Sequence, residues 1–333
     1  MPASGARAAG RLVVLAICLV ALRAGAREPQ ALALTATIPL PGVTGRLDHL
    51  AIDARGRLFV AALGNDTLEV VDLAAGRRLT SLGGLRRPTG VLYLPEVDRI
   101  LVANGSDGTL QTFDGASLRA LARLEALPDA DNLRLDPQAG RIYLGYGDGA
   151  LAVIDATTLR AIGRVALPAH PESFQLETRG PRVFVNLPDA RQIAVVDRNA
   201  GVVRDTWRVE GLRSNFPMAL DEAAGRLFVA FRDPARLVVF ETAAGKRVSD
   251  LAICGDADDA FYDSKRARVY VSCGDGFLDV IEPHDASSDL IERIPTRAGA
   301  RTALFSAEND ALYLAVPRRG ALDAEVRVFR PER

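Results

Sequence analysis

The sequence predicts an all-β protein: a seven-bladed β-propeller of four-stranded antiparallel blades, with the last blade closed by an N-terminal strand. The first observation is a strand–loop–strand unit that recurs at spacings of 41–44 residues. The seven copies start at Arg57, Arg99, Arg141, Arg182, Arg226, Arg268 and Ala311. A period of about 40–45 residues with several strands per repeat is typical of propellers. The second observation is that the seventh copy reaches Arg333 with no room for a fourth strand.

Four strands are predicted in each repeat and named a to d in chain order. In the first repeat they are Leu50–Asp53, Arg57–Leu63, Leu68–Asp72 and Arg78–Leu82, separated by turns rich in Gly, Asn and Asp. Strand c is the clearest marker, since LEVVD at 68–72 returns as LAVID, IAVVD, LVVFE and LDVIE. These apolar and β-branched residues fit a sheet that is packed on both faces by neighbouring blades.

The missing fourth strand of the last blade has a candidate near the N-terminus. Ala33–Leu40 reads ALTATIPL and matches the pattern of Arg160–Leu167, RAIGRVAL, a fourth strand. We predict that 33–40 closes the ring, because closure leaves no long exposed strand edge.

Residues 33–330 resemble the YVTN-repeat, or YncE-like, β-propellers of exported bacterial proteins. The segment LFVAALGNDTLEVVDLAAGRRLTSL at 58–82 carries that family's strand–loop–strand unit, with LFVAA where the name-giving tetrapeptide would lie. The resemblance implies the propeller fold, whereas propellers of this kind serve many functions.

Residues 1–26 are predicted to be a signal peptide. Arg7 and Arg11 precede the apolar run Leu12–Leu22, and Ala24-Gly25-Ala26 supplies a small-residue cleavage site. We therefore expect a single propeller domain at 27–333, periplasmic or secreted, with no membrane span after cleavage. An uncleaved N-terminal anchor is the alternative.

The composition argues against a nucleic-acid partner. The chain has 41 Lys and Arg residues against 42 Asp and Glu residues, with both signs interspersed. Gly-x-Ser-x-Gly, P-loop, dinucleotide-binding and haem-attachment motifs are absent from the sequence.

The connections from strand d to the next strand a differ most between repeats. Since strand a is innermost, their polar side chains are expected at the mouth of the central channel. The candidate ligand-binding residues are Asp48, His49, Asp131, Asn132, His170, Glu172, Asn215, Asp258, Asp259 and Arg301. Six of them are expected to be exposed enough that a single alanine change costs under about 1 kcal/mol: Asp48, His49, Asp131, Glu172, Asp258 and Arg301.

Three interpretations of these residues remain open. The preferred one is a monomeric, non-catalytic binding or scaffold protein that takes a small molecule, peptide or protein at the channel mouth and needs no cofactor. The alternative is a metal-dependent, lactonase-like hydrolase in which the carboxylates hold a divalent cation such as calcium. The third is that the residues only stabilise turns.

Cys254 and Cys273 are predicted to form a disulfide. They are the two cysteines left once residues 1–26 are removed, and exported proteins retain disulfides. The antiparallel order places both at the face that carries the carboxylates. Two buried free thiols are the alternative.

Overall fold

The computed structural model describes residues 30–332 and, near the N-terminus, residues 1, 2 and 5. The predicted signal peptide otherwise lies outside the described residues. In the described part of the chain, no helix combines the length and hydropathy needed to cross a membrane.

Seven four-stranded antiparallel sheets form the seven blades, which confirms the predicted fold. The first blade contains β2 (Leu50–Ile52), β3 (Arg57–Ala62), β4 (Thr67–Asp72) and β5 (Arg77–Leu82). The second contains β6 (Pro88–Leu94), β7 (Arg99–Asn104), β8 (Thr109–Asp114) and β9 (Ala120–Leu124). The third contains β10 (Leu133–Asp136), β11 (Arg141–Tyr146), β12 (Ala150–Asp155) and β13 (Ala161–Ala166).

The remaining blades repeat this order. The fourth contains β14 (Phe174–Leu176), β15 (Arg182–Leu187), β16 (Gln192–Asp197) and β17 (Val202–Arg208). The fifth contains β18 (Arg213–Asp221), β19 (Arg226–Asp233), β20 (Ala235–Glu241) and β21 (Lys246–Ala252). The sixth contains β22 (Ala257–Asp263), β23 (Arg268–Cys273), β24 (Phe277–Pro283) and β25 (Ser288–Pro295). Two 3-10 turns, Leu63–Asn65 and Pro95–Val97, interrupt the loops.

The seventh blade joins the two ends of the chain. It contains β26 (Thr302–Ser306), β27 (Ala311–Val316), β28 (Ala324–Pro331) and β1 (Leu32–Leu40). Strand β1 pairs antiparallel with β28, from Leu32 opposite Pro331 to Leu40 opposite Ala324. The predicted closing strand 33–40 is therefore confirmed, with one more residue at its start.

The core is divided among the spaces between neighbouring blades. Along β3, Leu58 and Val60 pack with Tyr313 of the seventh blade. Phe59 points the other way and packs with Ile100 of the second blade. This alternation with a period of two explains why strands b and c are apolar at almost every position.

The arginine that opens most repeats connects adjacent blades. Arg57 donates from Nε to Asp53 at 2.7 Å and from Nη2 to the carbonyl of Gly115, in the second blade. Arg226 reaches Asp285 of the sixth blade at 2.7 Å. Arg182 and Arg268 make the same kind of contact, so four of these arginines reach the segment after strand c of the next blade, whereas Arg99 pairs with Asp114 of its own blade.

Candidate functional site

A central cavity of about 1070 Å³ is lined by the innermost strands of all seven blades. Its wall combines apolar side chains, such as Val91, Met218, Phe261 and Leu304, with polar and charged ones. Turns between strands a and b, such as 53–56, line it at one face of the ring and add charged residues there. Polar groups that converge on a concave, partly apolar surface are typical of ligand pockets.

Two arginines line this cavity, and they differ in their partners: Arg55, at the turn end, pairs with Asp98 at 2.7 Å, whereas Arg134 lies in the wall formed by the innermost strands. Arg134 Nη1 donates to Asn132 Oδ1 at 3.2 Å and to the Leu133 carbonyl at 2.8 Å, which are both neutral acceptors. No carboxylate of residues 30–332 forms an ion pair with it. Burial lowers its pKa, against the opposing fields of Asp259 and Asp131. The cavity therefore contains a guanidinium with unused donors.

The predicted mouth residues converge beyond the end of the cavity that faces the d-to-a connections. We call this group the rim cluster: Asp48, Asp131, Glu172 and Asp258, with Arg46, Arg232 and Arg301. A void of about 20 Å³, room for about one water molecule, touches the four carboxylates and Arg46. Residues from well-separated repeats meet here because the d-to-a connections all enter the ring at the same face.

Arginines neutralise one half of the rim cluster. Arg46 pairs with Asp48 at 2.9 Å and lies 3.8 Å from Asp258. Arg301 Nε lies 3.0 Å from Asp258, which also pairs with Arg232. The three arginines and the two carboxylates form one network of ion pairs.

Ion pairs with Asp256 and a contact with the aromatic ring of Phe216 extend that network. Arg232 lies 3.4 Å from Asp256, and Arg301 pairs with the same carboxylate at 2.9 Å. The Arg232 guanidinium also stacks over the Phe216 ring, 3.7 Å from its centroid. Arg232 is thus held by charge on one side and by an aromatic face on the other.

The other half of the rim cluster has no such neutralisation. The carboxylates of Asp131 and Glu172 have no hydrogen-bond or ion-pair partner among residues 30–332. One ring nitrogen of His170 and one oxygen of each carboxylate lie within 4.8 Å of one another. His170 Nδ1 is 2.6 Å from the Gly147 carbonyl.

The pKa values follow from this crowding. Burial raises the pKa of Glu172 to about 9, and the charges of Asp131 and Asp258 add to the effect. Burial also raises the pKa of Asp48 well above its usual range, against the field of Arg46. For Asp131, burial raises the pKa while His49 and His170 oppose the shift. The carboxylates cannot all be ionised here without a compensating charge.

His49 and Asp259 lie between the cavity and the rim cluster. His49 Nδ1 is 3.8 Å from Asp259, and Nε2 is 3.8 Å from Asp48. Asp259 accepts a hydrogen bond from the Ala303 amide at 2.8 Å. Burial raises its pKa to about 7, against His49 and that hydrogen bond.

The raised pKa of Asp259 couples stability to pH. Between its ordinary value of 3.8 and about 7, the folded protein holds a proton that the unfolded chain has released. Folding therefore takes up a proton in this window, and the contribution of Asp259 to stability is lost as pH rises through it.

The structure differs from the sequence-based expectations in the burial of the ionisable residues and in the position of Asn215. The expectation that the ionisable residues are exposed is wrong. The Asp48 side chain is only 3% exposed because Arg46 closes over it, and the others are half-buried: His49, Asp131, Glu172, Asp258 and Arg301. Asn215 lies apart from the rim cluster: its amide donates to Asn186 Oδ1 at 3.0 Å and to the Gln192 carbonyl at 3.1 Å. Phe216, the next residue, lines the void instead.

A disulfide joins Cys254 and Cys273, whose Cα atoms are 5.8 Å apart. Cys254 is fixed further by its amide, which donates to the buried carboxylate of Asp279 at 2.8 Å. Ala257 pairs with Cys273 in the sheet, so the bridge lies where the connection with Asp256 enters β22, the strand that carries Asp258.

Sequence reasoning predicted Arg301 and missed the other three arginines of this site. Arg46 stands in a d-to-a connection and could have been included with Asp48. Arg232 follows FVAF in a strand b that is longer than its counterparts, and Arg134 is a charged residue within a strand a. A charge where other repeats have apolar or turn residues is the signal that could have found them.

No protein-family model and no curated protein sequence matches the chain. The structure is similar to a chain in the crystal structure of a mitotic checkpoint complex, at 15% identity and a TM-score of 0.77, covering 97% of this chain and 99% of that one. It is also similar to a chain of hydrazine synthase from Kuenenia stuttgartiensis, at 15% identity and a TM-score of 0.73, covering 85% and 99%. At this identity the likeness shows the propeller fold alone, and the YVTN-repeat resemblance stays a prediction.

Proposed function

We propose that the protein is an exported, non-catalytic binding module whose ligand enters the central cavity. β-Propellers commonly serve as scaffolds for proteins or small ligands. The proposed ligand has an apolar body and one carboxylate-type group, in a small molecule or at the C-terminus of a peptide. The rim cluster forms the polar end that limits how deep the ligand goes.

The observation that carries this proposal is Arg134. A buried guanidinium that donates only to neutral acceptors is a strong receptor for a carboxylate, because pairing with an anion offsets the desolvation cost of the buried charge. The volume of about 1070 Å³ is at the upper end of ordinary ligand pockets, so a ligand of moderate size fits.

The test is a binding comparison between acids and amides. The mature chain from residue 27 is titrated calorimetrically with a series of aliphatic and aromatic carboxylic acids and their primary amides. We expect acids to bind at least about tenfold more tightly, the loss of one charge-assisted hydrogen bond being worth that or more. In Arg134→Gln the preference should vanish.

Arg204→Gln is the matched control, because that arginine lies on an outer strand with its side chain 61% exposed. It should keep the full preference. Equal affinity for acids and amides, or an unchanged preference in Arg134→Gln, would contradict the proposal. Export and a monomeric state are part of the proposal, and they are checked by the N-terminal mass of periplasmic protein and by light scattering.

The alternative from the sequence, a metal-dependent hydrolase, requires a bound ion that activates water. One observation favours it, the grouping of Asp131, His170 and Glu172. Hydrolysis of a lactone and ester series that depends on added metal and disappears in Glu172→Gln would favour this alternative over pure binding.

A further inference from the structure

We propose that Asp131, His170 and Glu172 bind one divalent first-row transition-metal ion, such as Zn²⁺ or Mn²⁺. The three residues come from the d-to-a connections that enter the third and fourth blades. This site is separate from the proposed carboxylate receptor at Arg134. The two proposals can therefore fail independently: a protein that binds the metal but no acid supports only this site, and one that binds the acid but no metal supports only the receptor.

The first support is the spacing of the donor atoms. One nitrogen and two carboxylate oxygens already lie within 4.8 Å of one another. Ligands of a tetrahedral ion with bonds of about 2.1 Å are about 3.4 Å apart, so small side-chain movements would complete the coordination.

The second support is the state of His170. A carbonyl oxygen only accepts hydrogen bonds, so the 2.6 Å contact with Gly147 places the ring hydrogen on Nδ1. In the neutral ring Nε2 then keeps its lone pair and is the nitrogen free to bind an ion. A metal-binding histidine usually donates its other N–H to a carbonyl or carboxylate in this way.

The third support is the difference between the two halves of the rim cluster. Asp48 and Asp258 are held by arginines, whereas Asp131 and Glu172 have no partner for their carboxylates among the residues that the structure describes. Two half-buried carboxylates this close together repel each other, and a cation between them would remove that repulsion. The void of about 20 Å³ touches both.

The fourth support is that the backbone fixes both acidic residues in place. The Asp131 amide donates to the Gly145 carbonyl at 2.9 Å, and the Glu172 amide donates to Asn186 at 3.0 Å. Each connection is therefore hydrogen-bonded to the end of a strand b, which holds the ligands near their positions before an ion binds.

The donor set decides which ion is expected. An imidazole with two carboxylates suits zinc or manganese, whereas calcium prefers six to eight oxygen ligands. Three protein ligands leave at least one position of the ion for water or a substrate, as in open zinc sites.

The experiment measures metal binding by the chelator-treated mature protein. ZnCl₂, MnCl₂ and CaCl₂ are titrated separately by calorimetry, and bound metal is counted by elemental analysis after desalting. We expect one Zn²⁺ or Mn²⁺ per chain and a higher melting temperature in its presence. Asp131→Asn, His170→Gln and Glu172→Gln should each weaken binding by at least about tenfold.

Two control variants test whether the binding is specific to this site. Asp129→Asn changes a 60% exposed carboxylate beside His170, and His284→Gln removes a surface histidine paired with Asp289. Both should bind the ion as the unchanged protein does. Arg134→Gln should also bind it, which separates this proposal from that of the channel ligand.

Several outcomes would overturn the proposal. These are no binding of Zn²⁺ or Mn²⁺, binding of Ca²⁺ alone, or a triple Asn/Gln/Gln variant that binds as well as the unchanged protein. Asp131→Asn and Glu172→Gln are isosteric and remove charge without creating a cavity, so these two variants without metal should melt at or above the temperature of the unchanged protein. Melting curves of the metal-free variants therefore identify any loss of binding that is due to unfolding.

Discussion

Strand β1 provides an internal comparison for the closure of the ring, because its apolar residues face two environments. Ile38 is 1% exposed and lies in the cluster between the seventh and first blades. Leu34, in the same strand, is 52% exposed. Ile38→Ala should lower the free energy of unfolding by about 2–5 kcal/mol, and Leu34→Ala by under about 0.5 kcal/mol.

Deleting residues 27–40 should have a larger effect. It removes Leu32, Ile38 and Leu40, each at most 1% exposed. At about 1.5–3 kcal/mol for each buried side chain, the loss is about 5–9 kcal/mol, before the lost β1–β28 hydrogen bonds are counted. Whole domains are stable by about 5–15 kcal/mol, so the truncated chain should be marginally folded or unfolded.

Urea denaturation followed by circular dichroism measures all three changes. The midpoint should fall for Ile38→Ala and stay nearly constant for Leu34→Ala, and the truncated chain should unfold at much lower urea or without a cooperative transition. If the truncated chain unfolds at the same midpoint as the mature protein, or if the two point variants behave alike, β1 does not close the ring as described.

Three further predictions concern stability. Gly245→Ala should lower the free energy of unfolding by about 1–3 kcal/mol more than Gly201→Ala does. Both glycines have φ of +67°, but only at Gly245 would a Cβ meet the Trp207 ring, at 2.4 Å; equal urea midpoints for the two variants would contradict this. Alkylating denatured, unreduced protein should modify no cysteine of the mature chain, and Cys254→Ser should cost roughly 3 kcal/mol from the freed loop; two reactive thiols would refute the bridge. Asp259→Asn should remove part of the fall in stability that the unchanged protein shows between about pH 4 and 7. The difference in melting temperature between the variant and the unchanged protein should therefore grow across that range, and a constant difference would contradict a raised pKa of Asp259.

The fold was predictable because the same physical constraint acts seven times. In strands b and c every residue packs against one neighbouring blade or the other, so Leu58 to Ala62 are all apolar, and the pattern stands out when it recurs. The bounds of the first blade's strands were predicted to within one residue. The closing strand was predictable for a different reason: the seventh repeat lacked a fourth strand, and 33–40 supplied the matching pattern.

The location of the site was predictable, but not which arginine pairs with which carboxylate. Topology places the d-to-a connections at one face of the ring, so Asp131 and Glu172 were expected near each other. Which carboxylate an arginine neutralises depends on side-chain reach across the channel, as between Arg232 and Asp258, 26 residues apart in sequence. No local pattern encodes that distance. The burial of Asp48 follows from the same contacts, and sequence reasoning therefore missed it.

The last blade is built from two segments that are far apart in sequence: β1 near the N-terminus and β26 to β28 at the C-terminal end. Strand β1 is held there by hydrogen bonds and by Leu32, Ile38 and Leu40, with the connection 41–49 as its only covalent link to the first blade. A propeller that lacks β1 presents the open edge of β28, which is a ready acceptor for an extended peptide. A separate 27–40 peptide could then complete the ring, and β1 of one molecule could fill the blade of a second, which would link rings into dimers or chains.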